Sequence, residues 1–379
     1  MKKRIIGIIV LIVVILSLFC FYVYKPPAST KTFEGQLSEL KHTCIVPTLD
    51  TPLEEGMNTI WCSSFQAAWK TLEQDVAKGD VVLEGSPEMA ALLNKAADPR
   101  PDVPEGCLYS AAGWVKDGIT EKIVFDLKQF FPMKKSPDFG LVDANSIVAY
   151  SYIEANVKFA LPYYQNRWPL VFTDSKGKKT YIKSFGIKKH RNYTLRRQPR
   201  ILFQGENIKD VPFEFAVDLC AKSSPSQIII ACIHKEKTLS DVLESIAEKE
   251  SKNNEELKEF YGNDEDVSKI SGISENDILL VPDLFWKIDH SFLELCGRNF
   301  LNDELSGMHI DVAKQDILFH LDRNGAELKS EAIIYSLGDT IHNYNYMVDR
   351  PFLICMKKRG ASMPYFVMWV DNAELLSSW

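Results

Sequence analysis

The stretch Lys314–Met356 reads KQDILFHLDRNGAELKSEAIIYSLGDTIHNYNYMVDRPFLICM, and its reading decides the fold. Ile317, Leu318, Phe319 and Leu321 form an apolar strand that runs into Asp322-Arg323-Asn324-Gly325, residues that favour a turn. A long, mostly polar connection follows. A second strand, Tyr346–Met356, then carries Asp349-Arg350-Pro351-Phe352 ahead of an apolar run. Two core strands joined by a long connection without a helix of its own are unusual, because such loops are functional or disordered. Within the connection Ala326, Leu328, Ser330, Ala332 and Ile334 fall on one face of an extended chain. Glu327, Lys329 and Glu331 fall on the other. This period of two predicts a segment that can bury one face of a strand.

Strand, acidic turn, Gly325-Ala326-Glu327, long loop and Asp-Arg-Pro-Phe strand, in that order and near that spacing, resemble the reactive-centre region of the serpins. Val281-Pro282-Asp283-Leu284-Phe285-Trp286-Lys287-Ile288 is similar to that family's proline-containing sheet strand, and Phe366–Val370 to its last strand. Phe159-Ala160-Leu161-Pro162-Tyr163 stands where the family has Trp-x-x-Pro-Phe, and Cys62-Ser63-Ser64-Phe65 where it has Ser-Pro-x-Ser. The resemblance implies an α+β fold: a single serpin-like domain with a large mixed sheet, smaller sheets, helices mainly towards the N-terminus and a long exposed loop. It also implies a suicide-substrate inhibitor of a serine or cysteine protease. In that mechanism the protease acylates itself on the loop, and the cleaved loop inserts into the main sheet as a new strand and distorts the protease. On this resemblance Gly325, Ala326, Glu327, Leu328, Ser330 and Ala332 would be the hinge, and Leu337, Gly338, Asp339 and Thr340 the region of the scissile bond. Asp349, Arg350, Pro351 and Phe352 would be the signature strand.

Two departures favour an alternative, a non-inhibitory serpin-fold binding or carrier protein. Leu328-Lys329-Ser330-Glu331 replaces a run of small residues, and Arg323 stands where the family often has Glu. Overpacking a tight slot with Leu328 would cost about 1–3 kcal/mol and slow insertion.

The chain has 379 residues, 46% of them hydrophobic, enough for a large core, and a net charge of −7 that argues against nucleic-acid binding. Ile5–Tyr24 contains no charge and is flanked by Lys2-Lys3-Arg4 and Lys25-Pro26-Pro27. About 20 such residues span a bilayer. The reading is a signal anchor over residues 1–25, a linker over 26–40 and the serpin-like domain over 41–379, on the extracytoplasmic side. A cleaved, secreted form is the alternative.

Of the eight cysteines, seven lie beyond this segment, an odd number, and no CxxC pair or His/Cys cluster suggests a metal. Cys220 and Cys232 flank a hairpin turn and either pair across it or remain buried thiols. A helix is expected from Asn58 to Gly79 with Trp61, Phe65, Ala68 and Leu72 on one face, a second from Ser86-Pro87-Glu88 to about Ala97, and a third over Leu108–Phe131, interrupted around Gly118. Strands are expected at Ser146–Leu161, Val211–Cys220 and Ser226–His234, and a helix from Thr238 to about Tyr261.

Lys176–Arg200 carries ten Lys/Arg and no acid, whereas Asp241–Asp266 carries ten Asp/Glu. These are either two solvated faces or, for the first, a site for a polyanion or an acidic partner through Lys188, Lys189, Arg191, Arg196 and Arg197. No catalytic motif is present. His309 with Asp311, and His290 with Cys296, are isolated pairs. The expected partners are a target protease, a polyanion or acidic surface, and the membrane; no cofactor and a monomeric state are expected.

Overall fold

A computed structural model describes residues 33–131, 137, 139, 143–144, 146–189, 193–206, 211–221, 223–261, 272–310, 313–325 and 344–379. The apolar segment Ile5–Tyr24 lies outside these residues. Among those described, no helix is long and apolar enough to cross a membrane.

A seven-stranded sheet forms the centre. Its order is β10 (Arg200–Gln204), β11 (Phe215–Asp218), β12 (Ser226–Cys232), β17 (Phe352–Lys358), β18 (Phe366–Val370), β3 (Asn58–Cys62) and β2 (Thr43–Ile45). All neighbours are antiparallel except β2 and β3. Both faces are covered, so β3, β11 and β18 are buried at every position and read as nearly continuous apolar runs. On one face Leu239, Val242 and Ile246 of helix α4 (Leu239–Tyr261) pack against Trp61, Ala231, Leu353 and Trp369. Thr238 and Asp241 cap this helix reciprocally. The other face joins the main core, which also takes in Phe185, Val281, Trp286 and Ile317 from the smaller sheets. One shared core makes one domain.

Asn58–Trp61 do not begin a helix. Thr59, Ile60 and Trp61 are paired along β18, and helix α1 (Ser63–Leu72) starts only at Ser63. Sheet partners far along the chain override the helical spacing. A single wider turn over Glu73–Ala77 continues α1 to left-handed Lys78, just short of Gly79. Helix α2 (Glu88–Lys95) begins after Pro87 with no side-chain cap from Ser86. Leu108–Phe131 divides into strand β4 (Leu108–Trp114) and helix α3 (Ile119–Phe130). The strand expected over Ser146–Leu161 is regular only at β5 (Ile147–Ile153), which pairs antiparallel with β4. Ile119, Ile123 and Leu127 of α3 lie against Tyr109 and Ala111, so α3 covers the outside of this pair.

Three smaller sheets complete the fold. β14 (Leu284–Ser291) lies between antiparallel β15 (Lys314–Leu321) and parallel β1 (Phe33–Gln36). A four-stranded sheet runs in the order β16 (Asn345–Met347), β13 (Ile278–Pro282), β9 (Ser184–Ile187) and β6 (Tyr164–Gln165). The third is the hairpin of β7 (Leu170–Thr173) and β8 (Lys179–Ile182). The stretch Val281–Ile288 therefore serves two sheets, changing at Asp283, and Tyr346–Met356 does the same, with Val348–Pro351 between β16 and β17. Pro351 has no N–H for a ladder, which fits a crossing point.

Cys232 faces Phe215 across the β11–β12 hairpin, while Cys220 lies beyond the other end of β11. The two cannot meet, and both are free, buried thiols. Burial pushes the Cys232 thiol up to about 12.

Candidate functional site

The first end of the long connection is built from β15 and its turn. Gln315, Ile317, Phe319 and Leu321 point inward while Lys314, Asp316, Leu318 and His320 are exposed, a strict alternation. Asp322 closes the turn by accepting the Asn324 backbone N–H at 2.7 Å, and Gly325 donates to the Asp322 carbonyl at 3.3 Å. The turn is tied sideways. Phe159 N–H donates to the Asn324 carbonyl at 3.3 Å, Tyr163 N–H to the Arg323 carbonyl at 2.8 Å, and Lys158 bridges Gly325. Gly325 has φ +47°, and a Cβ there would stand 2.6 Å from the Phe159 nitrogen. Only glycine fits that approach. Phe159 is held in turn by Tyr163, ring edge to face at 4.8 Å, and the Tyr163 hydroxyl donates to the Leu219 carbonyl.

β5 leads towards Lys158 and β15 towards Gly325, and these two residues form an isolated antiparallel bridge, so the ends of both strands approach one junction. Among the described residues no ladder joins them; β5 is paired with β4 and β15 with β14. Helix α1, buried along its whole length, lies beneath both. Under β15, Gln315 Nε2 donates to the Cys62 carbonyl at 3.1 Å and to Ser64 Oγ at 2.8 Å, while Gln315 Oε1 and Ser63 Oγ are buried without a partner. A chain that continued past Gly325 in the antiparallel sense of this bridge could pair as an added strand at the junction.

The other end of the connection is fixed by Asp277. Its carboxylate accepts the Tyr344 N–H at 2.7 Å and the Ser274 N–H at 2.9 Å, and Ile278 N–H donates to the Tyr344 carbonyl. Arg196, buried at 4% exposure, holds the carbonyls of Ser274, Asp277 and Lys188. Beyond Tyr344, Arg350 donates to the Phe213 carbonyl and to Asp349, the Asp349 carbonyl accepts the Thr173 N–H, and Phe352 is fully buried.

Asp283 lies at the change of sheet beside Lys183 and Gln165. Burial pushes its carboxyl up to about 6, and the negative Asp322 adds to the rise against the opposing pull of the Gln165 amide, Lys183 and His320. One of its oxygens accepts from Gln165 Nε2 at 2.9 Å, and the other is buried without a partner.

Of the sequence-derived hinge only Gly325 is described; Ala326, Glu327, Leu328, Ser330 and Ala332 lie outside the described residues, as do Leu337, Gly338, Asp339 and Thr340. Arg191 also lies outside. Arg196 is withdrawn as a polyanion contact: burial lowers its basicity, and its donors hold the backbone around Asp277. Lys189 and Arg197 are exposed and Lys188 half-buried. Asp277 and Gln315 had no motif to mark them; Ser274-x-x-Asp277, a turn closed by its own side chain, is the one local signal for the former. His290 meets the Phe292 ring edge to face, and burial lowers its basicity.

No family model matches the chain, and no curated protein matches it in sequence. Solved structures that it matches include a serpin. Tengpin, a thermophilic serpin in its native state, shares 10% identity over 89% of this chain and 99% of its own, at a TM-score of 0.48. Human thyroxine-binding globulin shares 13% over 83% and 92%, at 0.44. The mouse protein-Z-dependent protease inhibitor shares 11% over 84% and 91%, at 0.47. These likenesses concern the fold alone.

Proposed function

We propose that this chain is a serpin-like protease inhibitor whose connection between Gly325 and Tyr344 is the bait. The supporting observation is that β5 and β15 end near one junction above the same buried helix with no ladder between them, while the turn that begins the connection is tied there to residues 158–163. A cleaved chain released at its far end can reverse at Gly325 and fill the position between them. The alternation of Ala326, Leu328, Ser330, Ala332 and Ile334 gives such a strand an inner face. Hinge residues Ala326, Glu327, Leu328, Ser330 and Ala332 would enter first, and cleavage would fall near Leu337, Gly338, Asp339 or Thr340. Residues 1–25 would hold the domain at the outer membrane surface, and exposed Lys189 and Arg197, with Lys188 and Arg191, would attract a polyanion or an acidic partner.

The second reading, a serpin-fold binding protein that does not trap proteases, draws on Leu328-Lys329-Ser330-Glu331. Lys329 and Glu331 would sit on the outer face, which α3 covers above β4 and β5. Burying charge there opposes insertion.

One experiment separates the two. The full chain in lipid nanodiscs is nicked between Ser336 and His342, and thermal unfolding is recorded before and after. A large rise in Tm means that the cut chain inserts, and an SDS-stable complex with a protease then identifies the target. An unchanged or lower Tm refutes trapping.

A further inference from the structure

Beside the hinge turn is an open recess of about 440 Å³ lined by Leu161, Pro162, Tyr164, Thr194, Leu195 and Arg323. Its volume falls in the range of small-molecule sites, roughly 300–1,000 Å³. The chemistry of the wall is divided. Leu161, Pro162 and Leu195 supply apolar surface, Tyr164 and Thr194 supply hydroxyls, and Arg323 is the one charged residue of the lining. Leu161 is 38% exposed and Leu195 is buried, so the apolar wall runs from rim to floor. Its backbone is firm: Leu161 exchanges two hydrogen bonds with the Gln198 amide, at 2.7 and 3.0 Å, and Tyr164 belongs to β6.

Arg323 is the unusual member. Its Nε is buried without an acceptor, and no carboxylate lies within ion-pair distance of it among the described residues. The adjacent Asp322 carboxylate is turned to Asn324 and His320 instead. A buried N–H without a partner is rare in a finished structure and asks for a group that supplies one. A guanidinium fork beside apolar surface is complementary to a carboxylate on an apolar body.

We propose that this recess binds a small amphipathic carboxylate, with its anionic head on Arg323 and its apolar body against Leu161, Pro162 and Leu195. Such a ligand also braces the hinge. The Arg323 carbonyl accepts the Tyr163 N–H, and Gly325 is two residues further on, so a molecule spanning Arg323 and residues 161–164 fastens the turn to its support. This goes beyond the inhibitor reading and needs only the turn; occupancy would set how readily the hinge leaves its junction.

The test uses the full chain in nanodiscs, with 4-phenylbutyrate as probe, 4-phenylbutan-1-ol as its neutral counterpart and empty nanodiscs as blank. Calorimetry is expected to show saturable binding of the carboxylate and at least tenfold weaker binding of the alcohol. Arg323→Gln is expected to weaken the carboxylate at least tenfold, and Arg323→Lys to fall between, because an ammonium lacks the fork. Leu161→Asp, at an exposed rim position, should repel the carboxylate without disturbing the fold. Hydrogen exchange at the Phe159 and Tyr163 amides should slow with the probe in the parent chain and not in Arg323→Gln. Absence of saturable heat above the blank overturns the proposal, as does equal affinity in Arg323→Gln and Leu161→Asp. The Tm shift on loop cleavage is independent of the probe, so this proposal and the inhibitor reading fail separately.

Discussion

Replacing Gly325 with alanine tests how the Asp322–Gly325 turn is held. A non-glycine residue near φ +47° costs about 1–2 kcal/mol. The new methyl would meet the Phe159 nitrogen at 2.6 Å and its ring at 2.8 and 2.9 Å, and forced packing of that kind costs about 1–3 kcal/mol more. Against this strain stand the Phe159 N–H bond to Asn324, the Tyr163 N–H bond to Arg323 and the bridge to Lys158. At about 0.5–1.5 kcal/mol each, those contacts are worth no more than the strain. The turn should therefore leave its junction while the core stays folded, and the loss of global stability is limited to about 1–3 kcal/mol, the cost of that release. Native-state hydrogen exchange reads the local effect and urea unfolding the global one. The Phe159 amide should exchange at least tenfold faster, with β17 and β18 amides following only the small global change. Unchanged exchange at Phe159, or a global loss above about 5 kcal/mol, would refute the picture of a separately releasable turn.

Other substitutions probe the supports of the site. A Cβ on Gly186 would stand 1.8 Å from the Leu279 carbonyl oxygen, so Gly186→Ala should cost about 3 kcal/mol in urea unfolding; a neutral result would mean that β9 and β13 are not so closely apposed. Asp283 takes up a proton more readily in the fold than in the unfolded chain, about 6 against about 3.9. Its contribution is thus fully present below about pH 4 and lost as pH rises through 6. Asp283→Asn should accordingly match the parent at pH 4 and exceed it at pH 8 by about 2 kcal/mol, whereas an equal difference at both pH values would contradict the assignment. Arg196→Met should destabilise by about 3 kcal/mol, because it strips the donors from three carbonyls; Lys189→Ala should stay within about 0.5 kcal/mol. If both had similar small effects on unfolding, Arg196 would not be the internal brace described.

Legibility in the sequence followed how local the cause was. The strand that runs through Ile317–Leu321, the Asp322–Gly325 turn and the helix that begins at Thr238 depend on neighbours in the chain, and each is found where the pattern places it. Asn58–Cys62 misleads because its helical spacing is real but its partners, β18 and β2, lie elsewhere in the fold. Leu108–Trp114 misleads for the same reason, with β5 as partner. The changes of sheet at Asp283 and at Val348–Pro351 leave no mark in periodicity, since both halves are apolar strands. Charge counts placed Arg196 on a basic surface; they carry no information on burial, and a buried arginine reads like any other. The tie between Lys158 and Gly325 spans distant segments and becomes visible only once the turn is seen against residues 158–163.

The order of the central sheet bears on how the chain is made. β17 and β18, which follow every other strand described, sit between β12 and β3, so the halves of the sheet have no ladder in common until β18 has been made. Some three hundred residues separate Cys62 from Val370. At roughly 5–20 residues per second, β3 waits on the order of 15 to 60 s for its neighbour. During that interval the apolar run Ile60-Trp61-Cys62 has no native partner on the β18 side. Contacts so distant in sequence also close slowly once available. The vulnerable period of this protein is its birth, when chaperone capture of the unfinished sheet competes with aggregation, and a truncation that removes β18 would prolong that period indefinitely.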